Sequence, residues 1–153
     1  MKITNKDEIG STIRQLSAQL ASLEQDVSFN RNWLKALEKS QGVAEAAYTS
    51  HEAKMKAFLS KRASALVLAS GHGLVQTEAS AAAHNLLSDV AERLEKIEAD
   101  LWCQVATARQ LVEATREHIE KAVKQVELTK REIAALTCVL ETVDEEYCPP
   151  SDV

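Results

Sequence analysis

The sequence predicts an all-α protein, a long antiparallel helical hairpin of coiled-coil type, and three observations carry that reading. Four glycines and two prolines in 153 residues cannot punctuate a many-stranded sheet, which needs a turn roughly every 8–12 residues. Ala, Glu, Lys, Leu, Gln and Ser dominate, all residues that a helix accommodates at little cost in side-chain entropy or backbone competition. Apolar residues recur at alternating spacings of four and three in two long runs, separated by the paired glycines Gly71 and Gly73. A hydrophobic fraction of 45% excludes wholesale disorder. Two Trp, two Tyr and two Phe are too few for an aromatic-rich β-sandwich.

The first helix is expected over about residues 5–69. Thr4 or Asn5 offers the N-cap, and Asp7 and Glu8 would complement the positive end of the helix dipole. Its seam runs through Ile9, Ile13, Leu16, Leu20, Leu23, Val27, Asn30, Leu34 and Leu37. More weakly it continues through Gln41, Ala44, Tyr48, His51, Met55 and Phe58. Asn30, polar in the middle of the strong part, fits a register-setting role. Gly42 is a place for the helix to loosen or kink.

Residues 70–77 read as the turn, because glycine adopts the left-handed conformation that closes a helix. Thr77 or Ser80 then caps a second helix over about 78–145, and Pro149-Pro150 stop it before a short tail, 146–153. The second seam reads Leu87, Val90, Leu94, Ile97, Leu101, Val105, Ala108, Val112, Thr115, Ile119, Ala122, Val126, Thr129, Ile133, Leu136, Leu140 and Val143. Leu101 to Val105 follows one spacing of four with another, a stutter that would locally unwind a supercoil. Glu92/Lys96, Glu117/Lys121, Glu120/Lys124 and Glu127/Arg131 are i,i+4 pairs in the favoured order.

Length and charge argue that the two helices pair with each other in a single domain, 1–153. Both are near 100 Å at about 1.5 Å per residue. Residues 1–75 carry ten Lys/Arg against seven Asp/Glu, and residues 76–153 carry eight against sixteen. Opposite signs favour mutual pairing over self-pairing of either helix. Outside the seams lie Phe29, Trp33, Leu59, Leu66, Leu68, Leu86, Trp102, Leu111, Val123, Leu128 and Val139. That many apolar side chains calls for a second buried contact. Dimerisation of two hairpins would supply it. The alternative is a compact four-helix bundle, bent at Gly42 and near Leu101.

No constellation of catalytic groups emerges. His51-Glu52-Ala53-Lys54-Met55 begins like the zinc-protease helix motif, but Met55 stands where the second histidine must share the helix face. Gly71-His72-Gly73 precedes no Lys-Ser pair and follows no strand, so it is turn chemistry rather than a phosphate loop. The expectation is a non-enzyme without cofactor or metal. Lys54, Lys56, Lys61 and Arg62 form a modest basic patch, yet the net charge of −5 and the lack of interleaved aromatics argue against nucleic acid. The N-terminus lacks the apolar run of a signal peptide, and the longest uncharged apolar stretch falls far short of the ~20 residues that span a bilayer. Cys103, Cys138 and Cys148 have no disulfide or ligand spacing, which fits reduced thiols in the cytoplasm, the first two packed.

These readings converge on a non-catalytic, homodimeric interaction protein acting as scaffold, stalk or adaptor for a protein partner. An inhibitor or regulator that sequesters an enzyme or macromolecular machine is the alternative, and a nucleic-acid-associated protein the third reading. Trp33, Trp102, Leu111, Val123 and Leu128 on the outer faces, with His72 at the tip, are the expected partner contacts.

Overall fold

The structure, a computed structural model, describes residues 2–69 and 78–147, with side chains over 5–65, at 78 and over 80–144. Among these residues there are two helices, α1 (Lys2–Ala69) and α2 (Glu78–Tyr147), packed against each other as a hairpin. A four-helix bundle would need breaks at Gly42 and near Leu101, and both helices run unbroken through those positions. The expected turn, 70–77, and the residues from Cys148 onward lie outside the described residues.

The helix ends differ slightly from expectation. α1 starts at Lys2, ahead of the expected caps Thr4 and Asn5, so Asp7 and Glu8 fall in its second turn rather than its first. α2 starts at Glu78, whose carboxylate complements the positive dipole end, and Ser80 is therefore inside the helix and not its cap.

The chain divides into two compact units. Unit 1 joins α1 as far as Lys35 to α2 from Ala114 onward, and unit 2 is Ala36–Glu113. In unit 1 the side chains of Lys6 and Asp144 pair, Lys130 Nζ lies 2.8 Å from Glu24 Oε1, and His118 Nε2 lies 3.1 Å from Asp26 Oδ2. In unit 2 Arg109 pairs with Glu45 and His51 with Leu94. Partners on α2 fall in number as those on α1 rise, so the helices are antiparallel in each unit.

Every α1 seam residue named from the sequence, from Ile9 to Phe58, is buried or half-buried. In unit 1 the core is Val27 with Ala122 and Val126, and Leu20, Leu23 and Val123 pack against it. Thr129 is buried among apolar neighbours because its hydroxyl donates to the Gln125 carbonyl at 2.9 Å, leaving no unmet polar group. In unit 2 Val105 and Val112 are the most deeply buried side chains. Each contributes about 1.5–3 kcal/mol by leaving water. A two-helix contact buries one stripe per helix, which is why most seam residues keep an edge in solvent.

Two seam assignments on α2 are corrected. Ile97 is 46% exposed, and the half-buried residue beside it is Glu98; Ala91 is buried at 7% exposure while its neighbour Val90 is only half-buried. With Ala91 and Glu98 in the seam, the spacing from Leu87 to Leu140 alternates four and three without interruption, so there is no stutter. The physical reason lies across the seam. His51, 7% exposed, places Nε2 2.9 Å from the carbonyl oxygen of Leu94. Ala91 lies three residues before Leu94, hence on the same face of α2, and turns inward with it. Val143, the last expected seam residue, is 44% exposed near the end of α2.

Asn30 does not reach across the seam. Its Nδ2 donates to the backbone carbonyl and side chain of Asp26 on its own helix, at 2.9 and 3.0 Å. His51, by contrast, is a polar seam residue with a hydrogen-bond partner on the facing helix. Three of the four expected i,i+4 ion pairs form, Glu92–Lys96 at 3.1 Å, Glu117–Lys121 at 4.0 Å and Glu120–Lys124 at 2.7 Å. Glu127 instead lies beside Lys130 in a groove of unit 1.

Candidate interaction surface

With the seams filled, surface chemistry distinguishes one region from another. In unit 1 Phe29 (68% exposed) and Trp33 lie one turn apart on α1, and Leu128 and Val139 are exposed on α2. An open groove of about 420 Å³ runs between Arg31, Lys35 and Ser28 on α1 and Glu127 and Lys130 on α2. Glu24 closes its wall and holds the ammonium of Lys130, raising that group's pKa by accepting its hydrogen bond.

Unit 2 has two unlike flanks. On the first, Glu45 Oε1 accepts hydrogen bonds from Gln41 Nε2 and Arg109 Nε, both at 3.0 Å. The Gln41 bond first, then the Arg109 bond, holds the Glu45 carboxyl below its ordinary value. Arg109 in turn lies 5.8 Å from the centre of the Trp102 ring, and Tyr48 packs against Trp102 with centroids 5.4 Å apart. This flank is a network of satisfied polar groups around half-exposed aromatics.

The second flank is open. A groove of about 410 Å³ is lined by Leu37, Ser40, Ala44, Thr107, Ala108 and Leu111, with Gln104 and Cys103 on its α2 side. Small side chains make the groove, because two backbones that approach over Ser40, Ala44 and Ala108 leave space above them. The seven-residue repeat extends this flank along both helices. From Ser40 it leads to Ala47, Lys54 and Lys61; from Gln104 it leads back to Ile97 and Val90; from Thr107 it leads back to Asp100, Arg93 and Leu86. Leu86 (65% exposed) and Ile97 stand out on it, and Val43 (66%) lies three residues on from Ser40, on the adjoining part of α1. Among the described residues no carboxylate forms an ion pair with Lys54, Lys61 or Arg93.

The structure separates several residues that the sequence grouped. Trp33 and Leu128 are exposed in unit 1, but Val123 is half-buried against the Val27–Ala122–Val126 core and is not an outer residue. In unit 2 Trp102 is engaged by Tyr48 and Arg109 on the first flank, whereas Leu111 lines the groove of the second. The basic patch is divided. Lys54 and Lys61 share the open flank, Lys56 lies out of step with that repeat, and Arg62 is half-buried at a seam position. His72 and Cys148 lie outside the described residues, as do the side chains of Leu66 and Leu68. Cys103 and Cys138, expected to be packed, are exposed.

Val43, Ile97 and Arg93 were missed as surface candidates. A strict repeat carried back from Val105 would have found Ile97, since it passes through Glu98 and Ala91. Among the described residues no three His, Cys, Asp or Glu side chains gather in a metal-binding group, and no helix is long and apolar enough to cross a membrane. Comparison of the chain with protein-family models, with curated proteins and with solved structures gives no match.

Proposed function

We propose that this chain is a non-catalytic protein–protein interaction module, a helical scaffold or adaptor that docks another protein on the open flank of unit 2. One observation carries the reading: an open apolar groove lies beside the filled seam, and Val43, Ile97 and, farther along α2, Leu86 stay exposed on the same flank. Apolar side chains left exposed beside a groove favour a contact there, because leaving them solvated costs about 25 cal/mol per Å² of apolar area. The opposite flank meets its own polar needs internally and has less to gain from a partner.

The test compares the wild-type chain with the Val43→Asp/Ile97→Asp variant as immobilised bait in extract from the source cells. Proteins retained by the wild type and lost on the variant support the reading. Equal retention on both, or retention of nucleic acid that falls steeply with salt, overturns it. Sedimentation of the two purified chains shows whether a second copy is itself the partner.

A further inference from the structure

From the charges at one end of this flank we infer the chemistry of its partner: an amphipathic helix of about 20 residues with acidic side chains toward one terminus. The inference rests on the interaction reading above and narrows it. The flank runs from the groove at Ser40 to Lys61, about 30 Å at 1.5 Å per residue, which a helix of that length covers. A helix laid along it would set an i, i+3, i+4, i+7 apolar stripe against Ile97 and the groove.

Charge selects the rest. Toward the Lys61 end the flank carries Lys54, Lys61 and Arg93, all exposed and none in an ion pair with a carboxylate among the described residues. Two acidic residues lie on the positions that the repeat assigns to this flank, Asp100 and, carried back from Cys103 through Lys96, Asp89, so the cations remain in excess. Carboxylates of a bound helix would meet those cations where apolar contact has already excluded part of the water, so an acidic helix is favoured over a basic one. A basic helix would be rejected by like-charge contact at the same end. Three cations at one end of the flank are few for a membrane surface, which calls for dense Lys/Arg beside bulky apolar residues.

Two synthetic 21-residue helical peptides test this, with one shared Leu stripe and either Glu or Lys at the polar positions of one terminal half. Their binding to the full chain is read by fluorescence anisotropy at two salt concentrations. The Glu peptide is expected to bind at least ten-fold tighter than the Lys peptide. Lys54→Glu/Arg93→Glu should abolish or invert that preference, and Ile97→Asp should weaken both peptides at least ten-fold. Circular dichroism verifies that each variant keeps its helicity, and Val43→Asp replaces Ile97→Asp if it does not.

Equal binding of the two peptides, a preference that survives Lys54→Glu/Arg93→Glu, or stronger binding to anionic phospholipid vesicles than to the Glu peptide would overturn the inference. If neither peptide binds while Ile97→Asp still abolishes partner retention on the resin, the acidic-helix inference fails and the interaction reading stands. If Ile97→Asp changes nothing in either assay, both fail.

Discussion

On one flank of unit 2, Glu45 is held by Gln41 and Arg109 beside the Trp102 and Tyr48 rings. On the other, Val43 and Ile97 are exposed, with Lys54, Lys61, Arg93 and Leu86 farther along the flank. Both flanks come from the same two helix segments and border the same seam. What separates them is where each side chain's needs are met. The first flank pairs its charges and stacks its aromatics within the unit. The second leaves apolar area and positive charge in water, the basis of the docking proposal. Aromatic content alone would point to the first flank, yet Trp102 already has Tyr48 and Arg109 as neighbours.

The contrast can be broken at its root by destroying the seam that defines both flanks. Val105→Asp places a charge at the most deeply buried side chain of unit 2. We expect a loss of more than about 3 kcal/mol in chemical denaturation, with helicity falling in parallel. A smaller effect would mean that the seam is not the organising contact.

The assignment of Ile97 to the flank rather than the seam is sharpened by its neighbours. Ala91→Leu overpacks a buried position and should cost about 1–3 kcal/mol. Ile97→Asp, at an exposed site, should stay within about 0.5 kcal/mol of the wild type. If Ile97→Asp were the more damaging change, the helix would be turned by one position and the open flank would not exist. Denaturant titrations of the two variants side by side decide this.

Gly42 offers a milder probe. It sits in the middle of α1, exposed, and a methyl group added there would meet nothing within 4 Å. Gly42→Ala should therefore raise stability by about 0.5–1 kcal/mol through helix propensity alone, leaving both flanks unchanged. A loss of stability would show that the helix needs a bend at that point.

The smallest effect belongs to the satisfied flank. The Glu45 carboxyl is held below its ordinary value by its hydrogen bonds to Gln41 and Arg109. A depressed carboxylate stabilises fully above its unfolded value and loses that contribution as pH falls through its folded value. The melting temperature of Glu45→Gln should thus lie slightly below the wild type at neutral pH. The gap should close on acidification below the usual carboxylate range. A gap that is constant with pH would assign the effect to packing instead.

Much of this architecture was legible in the chain. The four-three spacing located α1 and its entire seam from Ile9 to Phe58, because one contact face per helix leaves a single consistent stripe. It was less decisive on α2, where Val90 and Ala91 stand side by side and Ile97 abuts Glu98. At both places the more hydrophobic residue attracted the assignment, and the smaller or charged neighbour took the seam. Propensity could not foresee that His51 would reach the Leu94 carbonyl, which turns the face of α2 carrying Leu94 and Ala91 inward. Asn30 misled for a related reason: its side chain found Asp26 one turn back, a local hydrogen bond that competes with any contact across the seam.

The sequence by itself determined the fold class, the two helices and the sidedness of α1, since these follow from local propensity and a periodic pattern that reads the same in any surroundings. Which residues of α2 turn inward, and therefore which apolar side chains stay exposed, was decided only in the tertiary structure. That choice depends on shape and hydrogen bonding between helix segments some forty residues apart in sequence, such as His51 and Leu94. Hydrophobicity counted along one helix does not contain it.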